Sequence, residues 1–124
     1  MSDPRQLSET YFRAWKEHDW DALRAVLAPG VTFRGPLGSA DGRDECLTGL
    51  QGMATMMSDV VVLQRFVEGA DSLTWFELHT ADAPPLPTAS WQHTEDGLIV
   101  AIQATFDPRP LFAGKSDATG GTAP

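Results

Sequence analysis

The sequence predicts a single α+β domain: N-terminal helices followed by an antiparallel sheet. Three observations predict it. Helix-period apolar spacing comes first along the chain. A meander of strands and turns follows, so helices and strands are segregated rather than alternating. The third is size: 124 residues, 42% hydrophobic and 21% charged, suffice for one packed domain and leave no room for a second. The expected domain runs over residues 1–112, and residues 113–124, rich in Gly, Thr, Ala and Ser, are expected to form a disordered tail.

Asp3-Pro4 opens the first helix, because aspartate caps orphan amides and proline suits the first helical position. Leu7, Tyr11, Trp15 and His18 then recur every three or four residues, marking one face. Asp19 caps a second short helix with a stripe of Trp20, Leu23, Val26 and Leu27, which Pro29-Gly30 stops. Val31 to Arg34 reads as a strand, and Gly35 to Gly42 as a turn and loop. A third helix is expected from Arg43 to Met57, weakened by Gly49 and Gly52 unless these permit close packing.

The rest reads as β. Strands are expected over Val60–Glu68, Ser72–Thr80, Thr88–Thr94 and Leu98–Asp107, with turns at Gly69-Ala70-Asp71 and Glu95-Asp96-Gly97. Ala83-Pro84-Pro85-Leu86-Pro87 is not expected inside a sheet, since proline cannot donate to a ladder. Val100, Ile102, Ala104 and Phe106 alternate onto one face of the last strand.

Composition narrows the function. A net charge of −8 disfavours nucleic acid, whose phosphates need a basic face, and anionic membrane surfaces. One cysteine, Cys46, allows no intrachain disulfide and no cysteine-based zinc site. The start Met-Ser-Asp-Pro has no apolar signal core, and no apolar run nears the roughly 20 residues that span a bilayer; a cytoplasmic protein is expected. His18, His79 and His93 lack metal-ligand spacing. Ser39, Ser58, Ser72 and Ser90 sit in no nucleophile elbow. Gly35, Gly38 and Gly42 form no phosphate loop. No cofactor and no metal are expected.

The local motifs carry a resemblance. Phe12-Arg13-Ala14-Trp15 to His18-Asp19-Trp20-Asp21-Ala22-Leu23, Val31 to Gly38, Asp96 to Val100, and Phe106 to Leu111 together resemble the nuclear transport factor 2-like superfamily, with its SnoaL-like and ketosteroid isomerase-like members. The resemblance spans about residues 5 to 112 and implies a cone with one closed end, a strongly curved antiparallel sheet wrapped around the N-terminal helices, and a homodimer joined through the outer sheet face. It places Tyr11 where the isomerases have their oxyanion tyrosine. It also places Gly35 at the general-base position and Gln92 at the second oxyanion position, so the isomerase mechanism does not carry over. Limonene epoxide hydrolases share the fold but use an Asp-Arg-Asp set. Here Arg65 is the only arginine in the central strands.

Strand alternation puts Trp75, Glu77 and His79 on one face, with a carboxylate and an imidazole about 7 Å apart along the strand. The family comparison points Leu73, Trp75, Glu77 and His79 into the cone. Glu77 then becomes a general base with His79 as partner, while Tyr11 and Gln92 stabilise an enolate-like oxygen. A register shifted by one residue instead turns Glu77 and His79 to solvent and makes Trp75 an interface residue. Asp107 is a second acid/base candidate, since SnoaL-like cyclases carry an acid near the end of the last strand. Its other reading is a strand-terminating residue before proline. Trp15, Phe33, Trp75, Ile102, Ala104 and Phe106 are expected to wall an apolar pocket for a small hydrophobic molecule. The expected function is cofactor-independent acid/base catalysis: isomerisation, cyclisation, dehydration or ring opening. A non-catalytic binding or dimerisation module is the alternative.

Overall fold

The computed structural model describes residues 3–81 and 83–111; the tail expected over 113–124 lies outside them. In order come α1 (Pro4–Glu17), α2 (Trp20–Val26), β1 (Leu27–Gly35), β2 (Gly38–Asp41), α3 (Arg43–Ala54), β3 (Met57–Glu68), β4 (Asp71–Thr80), β5 (Ala83–Glu95) and β6 (Leu98–Thr105). This is the expected α+β cone: helices set against a curved, unclosed six-stranded sheet ordered β2-β1-β6-β5-β4-β3. Among the described residues no helix is long and apolar enough to cross a membrane.

Local chemistry starts and stops the helices. The Asp3 carboxylate accepts from the Gln6 amide at 2.8 Å, and the Gln6 side chain accepts from the Asp3 amide at 3.3 Å. This reciprocal box satisfies two donors that α1 would otherwise leave open. His18 closes α1 in the left-handed region, φ 60°, and Asp19 caps α2 by accepting from the Ala22 amide at 3.2 Å.

The strands differ from expectation where irregular geometry intervenes. Pro29 and Gly30 do not precede β1 but lie within it, in the stretch between Leu27 and Thr32 where its register with β6 shifts. Ser39 to Asp41, expected as loop, pairs with β1 as β2. That β1–β6 pairing is parallel; the other four are antiparallel. α3 ends at Ala54 and Met57 already belongs to β3.

The proline run is a strand after all. Ala83, Leu86 and Pro87 pair with β4 across a register shift that skips Pro84 and Pro85, yet the last β5–β6 pair is Ala89 with Thr105. Beyond that point β5 has a neighbour on one side only, where a missing amide costs no ladder bond. In β6 the register shifts between His93 and Thr94, skipping Val100. Ile99 and Ile102 are therefore the fully buried pair, rather than Val100 and Ile102.

The core lies between the inner sheet face and the helices, and α1 supplies Leu7, Tyr11, Phe12 and Trp15. Phe12 meets Phe76 of β4 at 4.9 Å between ring centroids, and the Trp15 indole donates to the Leu50 carbonyl of α3 at 3.0 Å. These contacts set the parity of β4. Ser72, Thr74, Phe76 and Leu78 face α1 and are buried, while Leu73 and Trp75 are each 43% exposed. The inward placement of Leu73, Trp75, Glu77 and His79 is therefore corrected by one residue. A one-residue shift moves every side chain of a strand to the other face.

Candidate functional site

The interior of the cone is almost filled by its own side chains. A cavity of about 40 Å³ remains, walled by Tyr11, Trp15, Phe33, Met53, Phe76 and Phe106. That admits a small group and not a whole drug-sized ligand, whose sites run to about 300–1,000 Å³. Thr88 and Ser90 add hydroxyls to the wall, and Thr88 already donates to the Leu86 carbonyl at 3.0 Å.

Tyr11 is the polar group that stands out. Its ring is held by Phe12 at 5.0 Å and Trp15 at 6.2 Å, and only 2% of the residue is exposed. Burial first, then the Cys46 thiol on α3, hold its phenol well above the ordinary value, with no hydrogen bond offsetting them. The group stays protonated and donates; it is no base near neutral pH. Burial likewise pushes the Cys46 thiol up to about 11, so it behaves as a small apolar group.

Gly35 also borders the cavity. A β-carbon there would meet the Phe33 ring at 3.0 Å. Phe33 thus occupies the space that a base at this position would need.

Gln92, expected to stabilise an enolate-like oxygen, and Ile102, expected on the pocket wall, lie in the core behind the cavity. Ile102 is wholly buried and Gln92 is 1% exposed. The Ser8 hydroxyl donates to Gln92 Oε1 at 2.6 Å and lies 2.7 Å from the Ser72 hydroxyl. Gln92 Nε2 is buried without a partner among the described residues.

The remaining candidates stand on the outer face or the surface. His79 Nε2 lies 3.0 Å from Glu77 Oε1, and both side chains are about one third exposed. Trp75 and Leu73 share their face, and Phe66 of β3 pairs with Leu73. His93 points outward too: its Nδ1 lies 2.7 Å from Asp71 and its Nε2 3.2 Å from Glu95. Asp107 is locked to Arg109 by side-chain contacts of 2.7–3.0 Å, which hold its carboxyl below the usual range. It is ionised near neutral pH and poorly suited to donate a proton.

A second, open hollow of about 510 Å³ lies between α3 and β2. It shares Phe33, Leu37, Gly38 and Met53 with the inner cavity. Sequence reasoning missed Leu37 and Met53 as site residues. Leu37 in a Pro-Leu-Gly turn and Met53 in a helical stripe carry no signal that they divide two spaces. Among the described residues no three His, Cys, Asp or Glu side chains gather as a metal site would need.

Comparison with known proteins agrees with this architecture. A family model described as the SnoaL-like domain matches residues 8–102. No match was found among curated proteins. A crystal structure from Kribbella flavida superposes with TM-score 0.87 at 23% identity, covering 97% of this chain and 98% of that one. An NTF2-like protein of unknown function from Cytophaga hutchinsonii gives 0.79 at 26% identity, covering 90% and 96%. An LEH-like epoxide hydrolase from M. tuberculosis gives 0.72 at 18% identity, covering 92% and 93%.

Proposed function

This chain belongs to the SnoaL-like domain family, and we propose that it binds a small, uncharged, apolar molecule at the mouth of the cone, with an acceptor oxygen of that molecule against the Tyr11 hydroxyl. One observation carries the reading: the phenol of Tyr11, a residue only 2% exposed, stands on the wall of an aromatic cavity and is held protonated there by burial. A ligand carbonyl or ether placed against that phenol accepts a hydrogen bond, worth about 0.5–1.5 kcal/mol net. The surrounding wall is apolar and the described residues bring no cation to it, so a carboxylate ligand has no counter-charge there.

Binding is favoured over acid/base catalysis. Proton abstraction needs a base within hydrogen-bond reach of the ligand. Glu77 and His79 stand on the other side of the sheet, position 35 has no side chain, and Tyr11 holds its proton. We also propose a second copy of this chain as the protein partner. The exposed, adjoining Phe66, Leu73 and Trp75 on the outer face favour it.

Tyr11 is the sole tyrosine, so 3-fluorotyrosine gives one fluorine resonance from the site. Titration with cyclohexanone should shift it saturably, whereas methylcyclohexane should bind more weakly. Tyr11→Phe, which removes the fluorine probe and is therefore compared with the parent chain by isothermal titration calorimetry, should lower ketone affinity about fivefold to tenfold, the worth of one hydrogen bond. Equal affinities of Tyr11→Phe and the parent chain for the ketone would remove Tyr11 from the site.

A further inference from the structure

Resting on that reading, we propose that the groove between α3 and β2 is the second compartment of the same site. It takes the elongated, uncharged tail of a ligand whose carbonyl head lies at Tyr11, and Met53 is the specificity-determining partition between the two spaces.

Continuity is the first argument. The inner cavity and the groove share four lining residues, Phe33, Leu37, Gly38 and Met53. Size is the second. The inner space of about 40 Å³ takes only a head group, while the groove of about 510 Å³ lies within the ordinary range for small-molecule sites. A ligand that satisfies Tyr11 must therefore leave most of its volume outside the cone, and the groove is where that volume fits.

The partition is suited to yield. Methionine is unbranched and adapts its rotamers cheaply, so Met53 can swing aside without moving α3. Leu37 sits at the tip of the β1–β2 hairpin and is 40% exposed, so it loses little packing on moving. The floor is smooth: a β-carbon at Gly49, which lines the groove, would meet nothing within 4 Å. Leu50, Ala40 and the protonated Cys46 thiol make the wall apolar.

Charge sets the tail class. The groove is lined by the carboxylates of Asp44 and Glu45, and no lysine, arginine or histidine lines it. Asp44 is paired with Arg24 at 2.6 Å, which holds its carboxyl below the usual range, and Glu45 is held in place by accepting from the Asp41 amide at 3.1 Å. An anionic tail end meets repulsion there, and an alkyl or aryl tail does not.

The test is a homologous series of 2-alkanones, from 2-butanone to 2-decanone, read at the fluorine resonance of Tyr11. Once the chain passes Met53, affinity should rise roughly threefold to fourfold per added methylene. Gly49→Leu fills the groove from a helix position where leucine is a better helix former than glycine. It should weaken 2-decanone about tenfold or more and leave 2-butanone unchanged, because only the tail meets the new side chain. Adding a terminal carboxylate, as in 9-oxodecanoate, should weaken binding relative to 2-decanone. The methyl resonance of Met53, labelled with carbon-13 and assigned through Met53→Leu, should move with 2-decanone and not with 2-butanone. Affinity that is flat with chain length, or Gly49→Leu affecting both ketones equally, overturns the groove and leaves the Tyr11 reading standing. If no ketone in the series binds, both fail together.

Discussion

Ser8 makes two buried hydrogen bonds with one hydroxyl, to Gln92 and to Ser72. It ties α1 to β4 and β5 at the closed end of the cone. Ser8→Ala leaves the Gln92 carbonyl oxygen buried and unpaired beside an amide nitrogen that already lacks a partner. The expected loss of stability is about 1–3 kcal/mol, measured by urea unfolding; a loss below a few tenths would mean the cluster contributes nothing to α1 docking. His93 provides the pH signal. Its hydrogen bond to Asp71, and then that to Glu95, raise its pKa from 6.5. A folded pKa above the unfolded one stabilises the fold at pH below 6.5, and that contribution is lost as pH rises through the folded value. The imidazole should titrate above 6.5 by NMR, and Asp71→Asn should lower its midpoint. An unmoved midpoint would show that the pair does not persist in solution.

At the scale of elements, α3 is the weakest helix by sequence and the one bordering both spaces of the site. No side chain caps its N-terminus, and Gly49 and Gly52 interrupt it. Close packing does not explain these glycines, since a β-carbon at either would meet nothing within 4 Å. Gly52→Ala should therefore raise stability by about 0.5–1 kcal/mol, seen as a higher urea midpoint at unchanged slope. Destabilisation would reveal a neighbour that the fold does not show. Element order and turns were legible because they rest on local chemistry: the Asp3-Pro4 start, the Asp19 cap, and the Asp96-Gly97 turn with positive φ at both residues. β2 and the proline-bearing half of β5 were not legible. Their pairing depends on which neighbouring strand ends where, and no local pattern records that.

At the scale of the whole molecule, the outer sheet face is the unfinished surface. Phe66, Leu73 and Trp75 are 62%, 43% and 43% exposed, and Trp91 pairs with Leu73 on the next strand. A second copy covering this face should make the chain a dimer at micromolar concentration by sedimentation. Trp75→Lys should yield a folded monomer, because a charge at the centre of an apolar interface is left unpaired. A parent chain that sediments as a monomer would end this reading of the outer face. The cavity itself was beyond sequence reasoning. The aromatic residues that wall a pocket are the same ones that fill it, and only their packing leaves about 40 Å³ rather than several hundred.

By itself the sequence determined an α+β chain, the order of its helices and of every strand but β2, and a first helix that presents Tyr11 and Trp15 on its apolar face. Those properties follow from periodicity, caps and turns acting within a few residues. Only the tertiary structure decided which way β4 faces. Both of its faces carry large apolar side chains, Leu73 and Trp75 on one and Phe76 and Leu78 on the other, so alternation alone was silent. The choice fell to distant partners, Phe12 against Phe76 and Ser8 against Ser72, and it carried Glu77 and His79 out of the cone with the rest of their face.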